Sequence, residues 1–395
     1  MSQAVTSPAE EGLRPALPIM VVVFLSFMVI GMALPVLPLH IHDVLELSPF
    51  VVGLVAGAQF IAAMLSRFWA GRLADTRGPK HAMGLGLIAA TLGGGCYLAS
   101  LPIQEAPVWS AAVLLIGRAL LGGAESLVIT SGMLWGLGLV SPARSAKVIA
   151  WVGMAMFAAM AAGAPIGSYL YARTAFLGIA VVTVLLPIMS LLVIARLHPL
   201  EPRVASPRKI SSVLGTVLLP GLGFAMSGIT FGSITGFVTL YFATRGWPHG
   251  AVAFTIFALA LIAARVVAGQ LPDRFGGARV AIVCLAVQSA GLATLGFATS
   301  ELAAMIGAGV AGAGFSLVFP SLSLEVVKRA PPENRGLAMG TYNAFLDLTL
   351  GIGSPALGWL ASHAGLGSVF VASAIAAILA IPIAIALLNN RGPSC

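Results

Sequence analysis

Glu125 and Asp347 are the two carboxylates deep inside long apolar stretches of this 395-residue chain, and Arg118 lies seven residues before the first of them. Seven residues turn a helix through about 700°, within about 20° of two full turns, so Arg118 and Glu125 share a face about 10.5 Å apart along the axis. They act on each other through space, and contact would need water between them. Asn343 and Asp347 are one turn apart and share a face in the same way, with Tyr342 beside them. Burial in an apolar medium disfavours the charged form of a carboxyl, whereas a nearby cation favours it. An acid balanced between these effects can load and release a proton, and an arginine near it can tune it or hold an anionic group. Gln59, Ser126, Thr130, Ser227 and Thr230 are candidates to line a shared cavity with Tyr342 and Asn343, although Ser and Thr hydroxyls also bond back to their own helix.

The elements that must position these groups are membrane helices. The chain is 59% hydrophobic and 9% charged, against roughly 45–50% and about 25% for soluble proteins, which excludes a water-soluble globule. At about 20 apolar residues per crossing, this composition suffices for about twelve crossings and leaves little for a soluble domain. Apolar runs fall at 16–40, 50–71, 82–102, 109–135, 146–171, 174–196, 213–243, 250–271, 279–298, 302–326, 336–361 and 366–389. With both termini placed in the cytoplasm, sixteen of the 21 Lys and Arg residues fall in cytoplasmic segments, and only Arg173 and Arg245 on the opposite side. Arg67, Arg118 and Arg265 lie inside or at the edge of spans. The net charge of +8 is therefore a positive-inside topology signal and implies no nucleic-acid partner. Residues 1–14 are polar and lack the basic start of a cleavable signal, so span 1 reads as a retained anchor. Cys96, Cys284 and Cys395 have no metal-ligand spacing, His40 and His42 read as a solvated rim at the end of span 1, and no phosphate-binding loop is present. The expectation is no metal, no cofactor and no enzymatic activity.

One connection is long. Residues 198–212 carry three prolines and four charged residues, and divide the chain into an N-terminal tail (1–14), a six-helix bundle (15–197), a linker (198–212), a second six-helix bundle (213–390) and a short tail (391–395). The halves repeat each other. The run from Arg67 to Gly78 recurs as Arg265 to Gly276 at an offset of 198, preserving the pattern Arg-x-x-x-Gly-x-Leu-x-Asp-x-x-Gly. Glu125-Ser126-Leu127-Val128 aligns with Phe315-Ser316-Leu317-Val318, and Gly163-x-Pro165 with Gly353-x-Pro355, both at an offset of 190. Two similar bundles facing a midplane site can rock about it, which is the geometry of a carrier.

The segment Gly71-Arg72-Leu73-Ala74-Asp75-Thr76-Arg77-Gly78-Pro79-Lys80 resembles the loop 2 to 3 signature of the major facilitator superfamily, and Gly269 to Arg279, with Asp273 and Gly276, resembles its second-half copy. The resemblance covers essentially the whole chain and implies an all-α membrane protein with twelve transmembrane helices in two pseudo-symmetric six-helix bundles. It also implies that this loop is a cytoplasmic gate, with Gly71 allowing close helix approach, Asp75 meeting the start of span 11 near Glu333 to Gly336, and Arg77 and Lys80 anchored on lipid head groups. Arg118 and Gly122 resemble the family's span 4 motif. Gly163, Pro165 and Gly167 are similar to the antiporter motif of drug:proton exporters, where small faces would pack span 5 against span 8, and Leu34-Pro35-x-x-Pro38 resembles the same group. The run Gly-Arg-x-Leu-Leu-Gly-x-x-Glu-Ser in span 4, with Asn-x-Phe-x-Asp in span 11, resembles the bacterial YhhS and YfcJ group of twelve-span exporters.

The expectation is a monomeric secondary transporter of the bacterial inner membrane, exporting a small organic or drug-like solute in exchange for protons by alternating access. Its partners are the lipid bilayer, a small-molecule substrate and protons. Glu125, Asp347 and Arg118 are the coupling candidates. The alternatives are a proton-coupled uptake permease for a sugar or organic acid, and a non-transporting membrane receptor.

Overall fold

The computed structural model describes residues 14–140, 145–200, 213–331 and 335–389. Among these, all regular structure is helical. The crossing helices are α1 (Leu17–Ala33), α2 (Pro49–Arg77), α3 (Pro79–Ser100), α4 (Pro107–Gly138), the run Ser145–Ala195 that supplies α5 and α6, α7 (Leu214–Thr244), α8 (Gly250–Ala268), α9 (Gly277–Gly296), α10 (Glu301–Arg329), α11 (Arg335–Ala364) and α12 (Leu366–Asn389). Among the described residues, eleven helical segments are long and apolar enough to cross a membrane. One of them, Trp151–Ala195, is 45 residues long, about 68 Å of helix and twice the thickness of a bilayer core. It breaks at Ala175, whose φ of 51° and ψ of −149° reverse the chain. Its arms, 145–174 and 176–195, are α5 and α6, so the twelve expected spans are all present. Most of the linker and the residues around Glu333 lie outside the described residues.

Local sequence explains where these helices begin. Proline stands at the first turn of α2, α3 and α4, where its missing N–H costs no hydrogen bond. Ser300 caps α10 by accepting from the Ala303 N–H at 3.3 Å. The turns after α2 and before α9 are made by Gly78 and Gly276, with φ of 87° and 92°, a region open to glycine and strained for other residues. These two glycines occupy the same place in the repeat. Large apolar side chains such as Leu65, Val108, Val267 and Phe297 are exposed on the outside, as helices solvated by lipid require.

The repeat is as plain in the packing as in the sequence. Within the first half α2 packs on α4, α3 on α4, α1 on α5 and α3 on α6; in the second, α8 packs on α10, α9 on α10, α7 on α11 and α9 on α12. The seams use the same glycines. A Cβ on Gly122 would overlap the Gln59 carbonyl oxygen, and one on Gly312 would overlap that of Phe257. The halves meet where α2 packs on α11 and where α5 packs on α8. The first contact is backbone to backbone at one end: a Cβ on Gly57 would come within 2.6 Å of the Gly351 carbonyl oxygen, and Gly358 backs onto Pro49 and Phe50.

Candidate functional site

Halfway along the α2–α11 seam the glycines give way to charge. Arg67 of α2 reaches across to Asp347 of α11, its Nη2 2.6 Å and its Nε 2.9 Å from Asp347 Oδ2. The Asp347 side chain is 8% exposed and that of Arg67 21%. Eight residues earlier on α2, Gln59 Nε2 donates to Glu125 Oε2 of α4 at 2.8 Å. Gln59 is buried while Glu125 keeps partial exposure. Asp347, Arg67 and Arg118 all lie within electrostatic reach of Glu125. The two intramembrane carboxylates thus belong to one constellation built on three helices, with an arginine and an amide of α2 between them. Electrostatics in such a low-dielectric site are strong, and removing one partner of a buried ion pair leaves the other uncompensated.

Arg67 is the member that sequence reasoning missed as a site residue. Its signal was visible, because it opens the repeated run Arg67 to Gly78, but the partner is 280 positions away. Arg118 stands behind the constellation. It is 1% exposed inside the first bundle, beside Tyr97 of α3, with its Nε and Nη1 unpartnered. It acts on Glu125 at a distance and lines no open space.

The proposed cavity lining divides. Thr130 and Asn343 are partly exposed; Ser126 is buried beside Glu125 with an unpartnered hydroxyl. Three residues turn inward, because the second bundle uses them as polar fastenings. Tyr342 is fully buried, donates to the Phe319 carbonyl at 3.1 Å and stacks on Phe224. Ser227 and Thr230 of α7 are fully buried and bonded to Gln288 of α9: the Ser227 hydroxyl donates to Gln288 Oε1 at 2.8 Å, and Gln288 Nε2 to Thr230 Oγ1 at 2.5 Å. His40 is likewise buried rather than part of a solvated rim, stacked on Phe176 with ring centroids 4.2 Å apart.

The glycines of the antiporter-like motif pack elsewhere than expected. Gly163 and Gly167 face Gly31 and Met32 of α1, where a Cβ on Gly163 would come within 2.9 Å of the α1 backbone. Their partner is α1, just before the Pro35 turn, rather than α8. Pro165 lies between them inside the helix.

In the last turns of α2, a Cβ on Gly71 would meet nothing, so this glycine does not serve close packing here. Gly269 ends α8. Arg77 and Asp273 are exposed. Lys80 is held inward: its ammonium donates to the Ala195 and Leu197 carbonyls at 3.0 and 2.6 Å, closing the C-terminal end of α6, where carbonyls lack partners and the helix dipole favours a cation. Glu325 of α10, not foreseen, accepts from the Ala278 N–H at the start of α9 at 3.3 Å and pairs with Arg329. The expected partner of Asp75 around Glu333 lies outside the described residues.

Asp75 is partly buried in the last turn of α2, and burial pushes its carboxyl above the usual carboxylate range. A raised native value means that this group favours folding below its unfolded value of about 3.9, and that the contribution is lost as pH rises through the native value. Asp75→Asn is therefore expected to leave melting unchanged at pH 3 and to raise Tm at pH 7 by no more than about 2 °C, measured in paired thermal melts.

Comparison with known proteins places this architecture. The profile of the Major Facilitator Superfamily matches residues 19–253 and 222–394. An uncharacterised MFS-type transporter of Salmonella typhimurium is 40% identical over 368 residues, 93% of this chain and 95% of the relative. YhhS of Escherichia coli, also named as an uncharacterised MFS-type transporter, is 38% identical over 377 residues, 95% of this chain and 93% of its own length. Among solved structures, a D-xylose-proton symporter superposes with a TM-score of 0.76 at 15% identity, covering 93% of this chain and 97% of that one. The nucleoside transporter NupG gives 0.73 at 17% identity, covering 95% and 100%. These two share the fold. A repeat of six helices, a charged constellation on the seam between the copies and relatives matched along nearly their whole length lead to one conclusion: the chain is a multi-pass membrane transporter, not an enzyme, and belongs to the major facilitator superfamily, in the YhhS group.

Proposed function

We propose that the protein is a proton-coupled exporter of a small organic solute, working as a monomer in the bacterial inner membrane with both termini in the cytoplasm. The observation that carries this reading is the pairing of Gln59 with Glu125 and of Arg67 with Asp347 across α2, α4 and α11. Glu125 is the exchangeable site. Protonated, it is a neutral partner for the Gln59 amide, and Arg67 remains with Asp347. Deprotonated, it is a second anion within reach of Arg67, and competition for the guanidinium weakens the clasp between the halves. Proton release is thereby linked to separation along the α2–α11 seam, and any difference in proton affinity between the two arrangements is the coupling free energy. Arg118 holds a fixed positive charge behind Glu125.

Export rather than uptake is supported by the contact between the two antiporter-like motifs, since Gly163 and Gly167 seat α5 against α1 at the turn before Pro35. A proton moving down a 100 mV potential supplies about 2.3 kcal/mol per charge, enough to drive one solute uphill. The test uses membrane vesicles of both orientations and a radiolabelled compound selected by its stabilisation of the purified protein. Export predicts accumulation in inverted vesicles on imposing a proton gradient, abolished by a protonophore. Accumulation confined to right-side-out vesicles would replace this reading with uptake.

A further inference from the structure

The charged constellation has a mirror image in which the arginine is kept and the other three polar groups are phenylalanines. Under the internal repeat, Gln59 and Arg67 correspond to Phe257 and Arg265 at the offset of 198, and Glu125 and Asp347 to Phe315 and Phe157 at the offset of 190. The structure keeps the mirrored placement. Arg265 of α8 crosses to α5 of the other half as Arg67 crosses to α11, but it meets a ring instead of an acid, its Cζ 5.2 Å from the Phe157 centroid. Its Nη2 donates to the Ser316 carbonyl at 2.7 Å, and its Nε is buried without a partner. No carboxylate pairs with it among the described residues. Phe231 of α7 stands 6.5 Å from Phe257 and 6.1 Å from Phe315. Phe157 and Phe231 keep partial exposure, while Phe257 and Phe315 are buried behind them.

A guanidinium held between packed helices with a buried, unpartnered Nε is costly unless something neutralises it, and a cation–π contact returns only part of the cost. At the other seam the equivalent arginine, Arg67, is neutralised by Asp347. Resting on the transporter reading above and extending it to the cargo, we infer that the second seam receives an organic anion with a flat apolar body, its carboxylate or sulfonate on Arg265 and its ring against Phe157 and Phe231. The two seams then divide the work. One handles protons through acids, and the other handles the solute through a cation and aromatic surface. No covalent step is involved.

Purified full-length protein and three probes test this: 1-naphthoate, 1-naphthalenesulfonate and, as the cationic counterpart of the same shape, 1-naphthylmethylammonium. Thermal stabilisation and calorimetric titration at pH 7 are expected to show binding of the two anions and not of the cation. Arg265→Gln is expected to weaken naphthoate binding about 10- to 100-fold, the worth of hydrogen bonds to one charged group. Phe157→Asp supplies the missing acid and rebuilds the ion pair of the other seam, so it is expected to fold, by its melting curve without ligand, and to lose naphthoate to the same degree. Wild type bound equally by the cation, wild type bound by neither anion, or a folded Phe157→Asp with unchanged naphthoate affinity overturns the inference. The proton reading fails separately. Naphthoate binding that depends on Arg265, with transport indifferent to a proton gradient, overturns the coupling and keeps the anion site; proton-driven transport of the naphthyl cation alone does the reverse.

Discussion

Arg67→Gln in the full-length protein is expected to destabilise the fold by about 3–5 kcal/mol, because it leaves Asp347 as an uncompensated charge between packed helices. Asp347 has Arg67 as its ion-pair partner, and its side chain is 8% exposed, so water cannot replace the lost guanidinium. The second variant makes the claim specific. Arg67→Gln combined with Asp347→Asn removes both charges and keeps hydrogen-bonding groups of similar size, and is expected to recover most of the lost stability. Denaturation in detergent, followed by intrinsic fluorescence, gives the four corners of the cycle. Strict additivity of the single changes would mean that the pair does not hold the halves together.

Glu125→Gln is expected to abolish proton-driven accumulation while energy-independent counterflow persists. A gradient of two pH units is worth about 2.7 kcal/mol per proton and supports about 100-fold accumulation when one proton is exchanged per solute; the variant should fall to equilibration. The substitution keeps the shape and the capacity for a hydrogen bond with Gln59, whose amide already donates to Glu125 Oε2, so folding is expected to survive. The measurement is solute accumulation in proteoliposomes with and without an imposed gradient. Accumulation equal to wild type would remove Glu125 from the coupling site and with it the switching role assigned to Arg67.

Much of this arrangement is legible in the sequence because the bilayer is a severe solvent. Long apolar runs, loop charges and the offset repeat are enough for the spans and the halves, and a carboxylate in such a run is conspicuous by its cost. What is not legible is direction. A helix surrounded by lipid and by other apolar helices carries no strong polar face to say which side turns inward, so Tyr342, Ser227 and Thr230 could not be told from cavity residues until their partners Phe319 and Gln288 were in place. The same holds for Gly163 and Gly167, whose small faces announce a close neighbour without naming α1. Arg67 was obscured for another reason: helix periodicity relates residues within a span, and nothing local relates α2 to α11. Lys80 looked like a lipid anchor because its charge fits the loop, whereas the free carbonyls ending α6 lie more than a hundred positions away.

The matched glycine seams inside each half and the unmatched contacts between halves have a mechanical consequence. Each lobe is stitched internally by close backbone contacts, yet its two lines of attachment to the other are unequal: parting one must pull apart opposite charges, while parting the other only slides a guanidinium off a phenyl ring. A rocking motion of the kind the proposed transport cycle requires is therefore expected to be lopsided, swinging first at the aromatic side and last at the ionic one.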